Sequence, residues 1–402
     1  MSTPASGVTA AQGFRAAGVA AGLKSTGARD VAVVVNAGPS HVAAGVFTSN
    51  RVQAAPVVWS RQVLADGRVD AVVLNSGGAN ACTGPEGFAD THHAAEYLAE
   101  QLAIAPGDVA VCSTGLIGVR LPMPALLKGI DAAVAELAAD VAAGSAAAEA
   151  IKTTDTVAKV AQRTVQSQPS GAASATLTTW TVGGMAKGAG MLAPGLATML
   201  VVITTDADVD AATADAALRE AVRTTFDRID SDGCMSTNDT VLLLASGASG
   251  TRPHAEEFTE TLRDVCADLA RQLIADAEGA SHDIAVEVVN AATEDDAVEV
   301  ARAVTRSNLF KAAVFGNDPN WGRVLAAVGT TSAAFDPLTL DVSMNGVQVC
   351  QAAGVGEDRE LVDLSGREVR VLIDLHAGEA TATVWTNDLT HDYVHENSAY
   401  SS

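Results

Sequence analysis

Aromatic residues are scarce, at 4% of 402 positions, and positive charge is scarcer than negative, with 25 Lys and Arg against 48 Asp and Glu. The resulting net charge of −23 leaves no basic footprint for a nucleic acid or an anionic membrane surface. No run approaches the ~20 consecutive apolar residues of a membrane span. The N-terminal residues lack the apolar core that a secretory signal needs. Cys82, Cys112, Cys234, Cys266 and Cys350 are dispersed with no C-x-x-C spacing, the pattern of reduced thiols and not of a disulfide framework. The expected location is therefore the cytoplasm. Metal signatures are missing as well: there is no H-E-x-x-H, and the adjacent His92 and His93 diverge on a helix. A P-loop and a G-x-S-x-G elbow are also absent. No metal, cofactor, nucleic acid or membrane partner is expected.

What is abundant is small and aliphatic. Apolar residues reach 48% with 35 glycines, enough for a large core in two or three domains. Apolar runs at 30–36, 43–48, 71–75, 109–113 and 199–205 predict buried strands. Helical spacing covers 89–104, 123–151 (with a break near Gly144), 211–229, 254–276 and 296–305. Alternating runs at 338–344, 347–352, 369–375 and 380–385 predict a closing antiparallel meander. The polar stretch QSQPSGAA at 166–173 reads as a linker. Strands and helices in this mixed order favour an α/β sandwich over a doubly wound parallel sheet.

One segment concentrates the chemical interest, KGAGMLAPGLATML at 187–200. Its glycines superficially fit a dinucleotide fingerprint, but that fingerprint needs a helix to begin there, and Pro194 and Gly195 lead into a strand instead. Thr198 is a hydroxyl residue at the start of that strand. Turn-then-strand is common, so the local residues alone favour an ordinary strand edge. Cutting the Ala197–Thr198 bond, however, would give Thr198 a free α-amine beside its hydroxyl, a base and a nucleophile in one residue. Thr114-Gly115, after a strand, could supply oxyanion donors, although such a pair is more often a simple turn. Lys187 and Glu278, in isolation, read as solvated surface charges, and the tail 395–402 as a frayed terminus.

The motifs together alter that balance. The 187–200 segment, GFRAAG at 13–18, AGVFTSNRVQAAPV at 44–57, NSGGANACTG at 75–84, STGLIG at 113–118, TTDT at 153–156, STNDTVLLLASG at 236–247 and FGNDPNWGR at 315–323 follow in order along nearly the whole chain. They closely resemble the bifunctional glutamate N-acetyltransferase/ornithine acetyltransferase family of arginine biosynthesis. The resemblance implies a multilayered α/β sandwich of the self-processing aminopeptidase type. It also implies a precursor cut into an α chain, residues 1–197, and a β chain, residues 198–402, commonly held as a heterotetramer. By motif, Thr198 is then the nucleophile and Thr114 and Gly115 form the oxyanion hole. Thr153 (or its neighbour Thr154), Lys187, Glu278, Asn397 and Ser402 match substrate-binding positions. The implied reaction moves acetyl from N-acetylornithine to glutamate through acetyl-Thr198. Whether acetyl-CoA also donates is left open, since no residue separates the one-donor from the two-donor members. A self-processing aminopeptidase or amidase and a non-catalytic binding protein are the alternatives.

Overall fold

The computed structural model describes residues 6–168, 177–192 and 199–399. In Val31–Asn36 (β2), Val31 and Val33 face one core while Ala32 and Val34 face another. Successive side chains of a strand point to opposite faces, so a strand dry on both sides reads as one unbroken apolar run. The first sheet has the order β1 (Phe14–Val19), β2, β4 (Ala71–Ser76), β5 (Val109–Thr114), with β4 and β5 parallel. The second has the order β3 (Val42–Phe47), β9 (Thr240–Ala245), β8 (Leu200–Thr205), β7 (Thr178–Lys187), β6 (Lys159–Ser167), with β8 and β9 parallel.

Facing sides of the two sheets share a core that includes Phe14, Val34, Leu74, Cys112, Met185, Val202 and Leu244. The outer side of the first sheet is covered by α2 (Gly84–Leu102) and α3 (Met123–Ala135). The outer side of the second is covered by α5 (Ala211–Thr224) and α6 (Ala255–Ala275). The layers therefore run helix, sheet, sheet, helix, the expected multilayered α/β sandwich. Two further helices, α1 (Ala55–Val63) and α4 (Val141–Ala150), pack on β5 and β1 respectively.

The remaining chain builds a third sheet in the order β13 (Gly354–Val355), β12 (Val347–Gln351), β11 (Asp341–Met344), β14 (Glu368–Asp374), β10 (Asp283–Ala291), β15 (Ala380–Asn387). Its core is closed by α7 (Glu294–Thr305), α8 (Asn308–Phe315) and α9 (Trp321–Val328). Among the described residues no helix is long and apolar enough to cross a membrane.

Four expectations need correction. The closing meander is interrupted, because β10 inserts between β14 and β15, parallel to the first and antiparallel to the second. The helical region 123–151 breaks at 136–140 and not near Gly144, because the Asp140 side chain caps α4 by accepting Ala143 N–H at 2.8 Å. The stretch 166–173 does not link domains: Gln166 and Ser167 end β6, which pairs antiparallel with β7, and 169–173 lie outside the described residues. The tail is not frayed as far as Ala399, since α10 (His391–Ala399) is a helix tied back by Asn397.

Candidate active site

β5 delivers Thr114 and Gly115 to one end of the sandwich. Gly115 has φ +128°, and a Cβ there would fall 2.5 Å from Gly78 N, so only glycine fits without rearrangement. Gly78 N–H donates to Thr114 O at 3.0 Å, and Asn75 Nδ2 donates to Gly78 O at 3.1 Å. Asn238 Nδ2 donates to both Ala79 O, at 2.6 Å, and Ser113 O, at 2.8 Å. One amide thus joins the strand end to the glycine loop at 76–79, and backbone donors in so fixed a loop suit a developing oxyanion.

Lys187 ends β7 and is 1% exposed. Its register partner is Leu200, which places it beside the start of β8. Nζ donates to Thr114 Oγ1 at 3.3 Å and lies 3.9 Å from Asp155 Oδ2. An ammonium has three donors, and among the described residues only one hydrogen bond is made, so Lys187 can still meet a carboxylate. Burial pulls the Lys187 pKa down, with Asp155 opposing and Lys159 adding to the fall.

Asp155 is the hub of this charge cluster. Oδ1 accepts Lys159 Nζ at 2.6 Å and Gly188 N–H at 2.7 Å, while Oδ2 accepts Thr153 N–H at 3.0 Å. Burial alone would raise the carboxyl, but Lys187, Lys159 and the Gly188 N–H together hold it down at about 2. Lys159, fully buried, also reaches Asp276 Oδ2 at 2.5 Å.

The chain on either side of 193–198 is clamped. Ala189 O accepts Glu278 N–H at 2.9 Å, Met191 N–H donates to Asp232 Oδ2 at 2.6 Å, and Leu192 O accepts Ser231 N–H. On the other side, Met199 N–H donates to Asp239 Oδ1 at 3.0 Å and Met199 O accepts Thr240 N–H at 3.1 Å. A Cβ at Gly190 would fall 2.6 Å from Glu278 Oε2, so this segment lies directly against the Glu278 carboxylate. Asn397 Nδ2 donates to the same oxygen at 2.9 Å.

Glu278 stands between two clefts. One, of about 800 Å³, is lined by Thr154, Asp276, Glu278, Asp392, His395 and Glu396, and the other, of about 340 Å³, by Asp232, Glu278, Lys311 and Tyr393 among others. Burial, then Glu278 and Asp392, push the Glu396 carboxyl up. Removing the Asn397 amide is expected to raise the Michaelis constant up to about tenfold, the scale of one lost hydrogen bond of about 0.5–1.5 kcal/mol, with turnover little changed. Steady-state kinetics of Asn397→Ala read this directly.

Thr114, Lys187, Glu278 and Asn397, with Thr153 through Asp155, thus converge on the segment 187–190. Lys187 is no solvated surface charge, because its partners Thr114 and Asp155 bury it. Thr154, not Thr153, lines the larger cleft, while Thr153 serves Asp155 through its backbone. Ala197, Thr198 and Ser402 lie outside the described residues. Asp155, Lys159, Asp232, Asn238 and Asp239 were not singled out from sequence. Three of them sit inside TTDT and STNDT, which was the available signal; a lone Lys at the start of a strand carries none. Among the described residues no group of three His, Cys, Asp or Glu is placed to hold a metal.

A profile described as the ArgJ family matches residues 15–402. Over 395 residues the chain is 65% identical to the arginine biosynthesis bifunctional protein ArgJ of Streptomyces coelicolor, covering 98% of this chain and 100% of that protein. It is 55% identical over 404 residues to the protein of the same name from Mycobacterium leprae, covering 99% and 96% respectively. Among solved structures, ornithine acetyltransferase of Mycobacterium tuberculosis complexed with ornithine is 51% identical. It has a TM-score of 0.41 and covers 48% of this chain and 96% of that one.

Proposed function

The chain belongs to the ArgJ family, and on that premise we propose that it is an acetyltransferase of arginine biosynthesis carrying acetyl from N2-acetyl-L-ornithine to L-glutamate. The observation that carries this reading is the Lys187–Thr114 hydrogen bond, which joins a buried cation to the end of β5 beside the chain entering β8. A cation, a rigid donor loop and a strand start meet at one point, as transfer from an α-carboxylate substrate requires.

In this reading the Thr198 hydroxyl attacks the Ala197 carbonyl, and water hydrolyses the resulting ester to leave an α chain of residues 1–197 and a β chain of residues 198–402. The new α-amine, with a reference pKa of ~7.7–8.0, takes the hydroxyl proton. Thr198 Oγ then attacks the acetyl carbonyl of N-acetylornithine while Thr114 and Gly115 face the oxyanion. Lys187 anchors the α-carboxylate. Glu278, steadied by Asn397 and flanked by Asp276 and Glu396, attracts the side-chain ammonium of ornithine. Thr153 or Thr154 and Ser402 complete the binding site. Ornithine leaves, glutamate takes the acetyl group, and the kinetics are ping-pong. The processed enzyme acts in the cytoplasm as two α and two β chains. Incubation of the enzyme with acetyl-CoA and glutamate, scored for N-acetylglutamate, tests for a second donor.

Release of ornithine from N-acetylornithine is the test. It should accelerate with added glutamate and yield N-acetylglutamate in equal amount. Release that ignores glutamate would make water the acceptor and the protein an amidase or aminopeptidase.

A further inference from the structure

We infer that Asp388 is a positioning residue for the ornithine side chain, on the reading of Glu278 above as the group that meets the ornithine ammonium. It clamps the loop that carries Glu278 to the C-terminal helix that carries Asn397.

Glu278 sits on neither a helix nor a strand. It lies in the turn between α6, which ends at Ala275, and β10, which starts at Asp283. A carboxylate on a loop selects a cation only if something outside the loop holds it in place. Asn397, whose Nδ2 meets Glu278 Oε2 at 2.9 Å, is exposed and lies on α10. A helix of 9 residues with no buried side chain is marginal by itself. Neither partner therefore brings its own anchor.

Asp388 supplies one. It directly follows β15 and is 4% exposed. Oδ1 accepts the N–H of Ser281 at 3.0 Å and of His282 at 2.9 Å. Oδ2 accepts the Ser281 hydroxyl and, at 2.7 Å, His282 Nδ1. The buried His282 ring also places Nε2 3.0 Å from Leu364 O. Carboxylate and carbonyl oxygens only accept, so the ring donates from both nitrogens. Burial alone would raise the Asp388 carboxyl, but the Ser281 hydroxyl, His282 and their N–H groups hold it below the usual carboxylate range. These donors on one carboxylate fix the loop just past Glu278 to the chain just before α10.

A second tie follows. Thr390 Oγ1 donates to Gly279 O at 2.6 Å and accepts Tyr393 N–H at 2.9 Å. A Cβ at Gly279, where φ is +62°, would fall 2.2 Å from Tyr393 N, so loop and helix meet backbone to backbone. Tyr393 O in turn accepts Asn397 Nδ2 at 3.0 Å. A continuous path thus runs from Asp388 through Thr390 and Tyr393 to the amide on the Glu278 carboxylate.

N-acetylnorvaline keeps the acetyl group and α-carboxylate of N-acetylornithine and lacks only the δ-ammonium. With glutamate as acceptor, the parent kcat/KM should favour N-acetylornithine by about 10–100-fold, the scale of a hydrogen bond to a charged group. Glu278→Gln should erase that preference. Asp388→Asn should cut it about fivefold to tenfold, the scale of one hydrogen bond, mainly through the KM for N-acetylornithine, with N-acetylnorvaline little changed. Thr390→Val keeps the side-chain shape, removes only the tie to Gly279 and Tyr393, and should act in the same direction. It carries the test if the thermal unfolding midpoint shows Asp388→Asn to be unfolded. The proposal is overturned if Glu278→Gln loses the preference while the folded Asp388→Asn enzyme, or Thr390→Val in its place, keeps it. A general loosening, in which both substrates fall together and their ratio stands, counts as keeping it. A parent without the preference, or a Glu278→Gln enzyme that retains it, refutes instead the reading of Glu278 on which this role rests.

Discussion

Thr198→Ala is expected to leave one 402-residue polypeptide where the parent should yield two that meet between Ala197 and Thr198. Acetyl transfer from N-acetylornithine should fall on the order of 10⁶-fold, the scale on which a covalent catalyst loses its nucleophile. In the proposed mechanism both losses share one origin, because the same hydroxyl opens the peptide bond and later carries the acetyl group. Thr198→Ser keeps a hydroxyl and should retain both activities at reduced rate. Denatured intact mass spectrometry beside a transfer assay reads the two effects together. An uncut parent without transfer activity would return the protein to the class of non-catalytic binding proteins.

The second large effect is on stability. Asp155 is buried between Lys159 and Lys187 and supports Gly188 and Thr153 through their N–H groups. Asp155→Asn removes the charge, taking from buried Lys187 its neighbouring carboxylate and leaving Lys159 with Asp276 alone. The expected destabilisation is about 3–5 kcal/mol, the cost of breaking a buried ion pair from one side. Because the folded carboxyl is held down at about 2, its contribution is fully present above the unfolded value of about 3.9 and is lost as pH falls through about 2. Denaturant unfolding should therefore show a steeper acid loss between those values in the parent than in the variant. Equal stability of the two chains at neutral pH would remove Asp155 from its place as the hub.

Those two residues also mark what sequence could and could not disclose. Strands buried on both faces, such as β2 and β8, announce themselves because every position is apolar. β6 and β7 do not, since KVAQRTVQS and TTWTVGGMAK mix polar residues and paired glycines, and only their mutual pairing makes them strands. β10 was hidden differently: its place between β14 and β15 depends on partners some 80–100 residues away, and the local alternation of its neighbours read as a simple meander.

The site divides along the same line. Thr114, Gly115 and Lys187 could be named because each lies in a motif resembling the family, and Glu278 and Asn397 because they match its substrate-binding positions. Their energetics could not, because Lys187 is a surface charge until Thr114 and Asp155, 73 and 32 positions back, close on it. Asp239 sits inside STNDT, yet nothing local tells that it is fully buried and accepts Met199 N–H.

The proposed transfer turns on an acetyl group carried on Thr198. The direct measurement is peptide mass spectrometry of the cleaved enzyme after brief incubation with N-acetylornithine and no glutamate. One acetyl mass on the N-terminal residue of the β chain, discharged on adding glutamate, is the expected result. Full transfer activity with an unmodified Thr198 at every time point would contradict it.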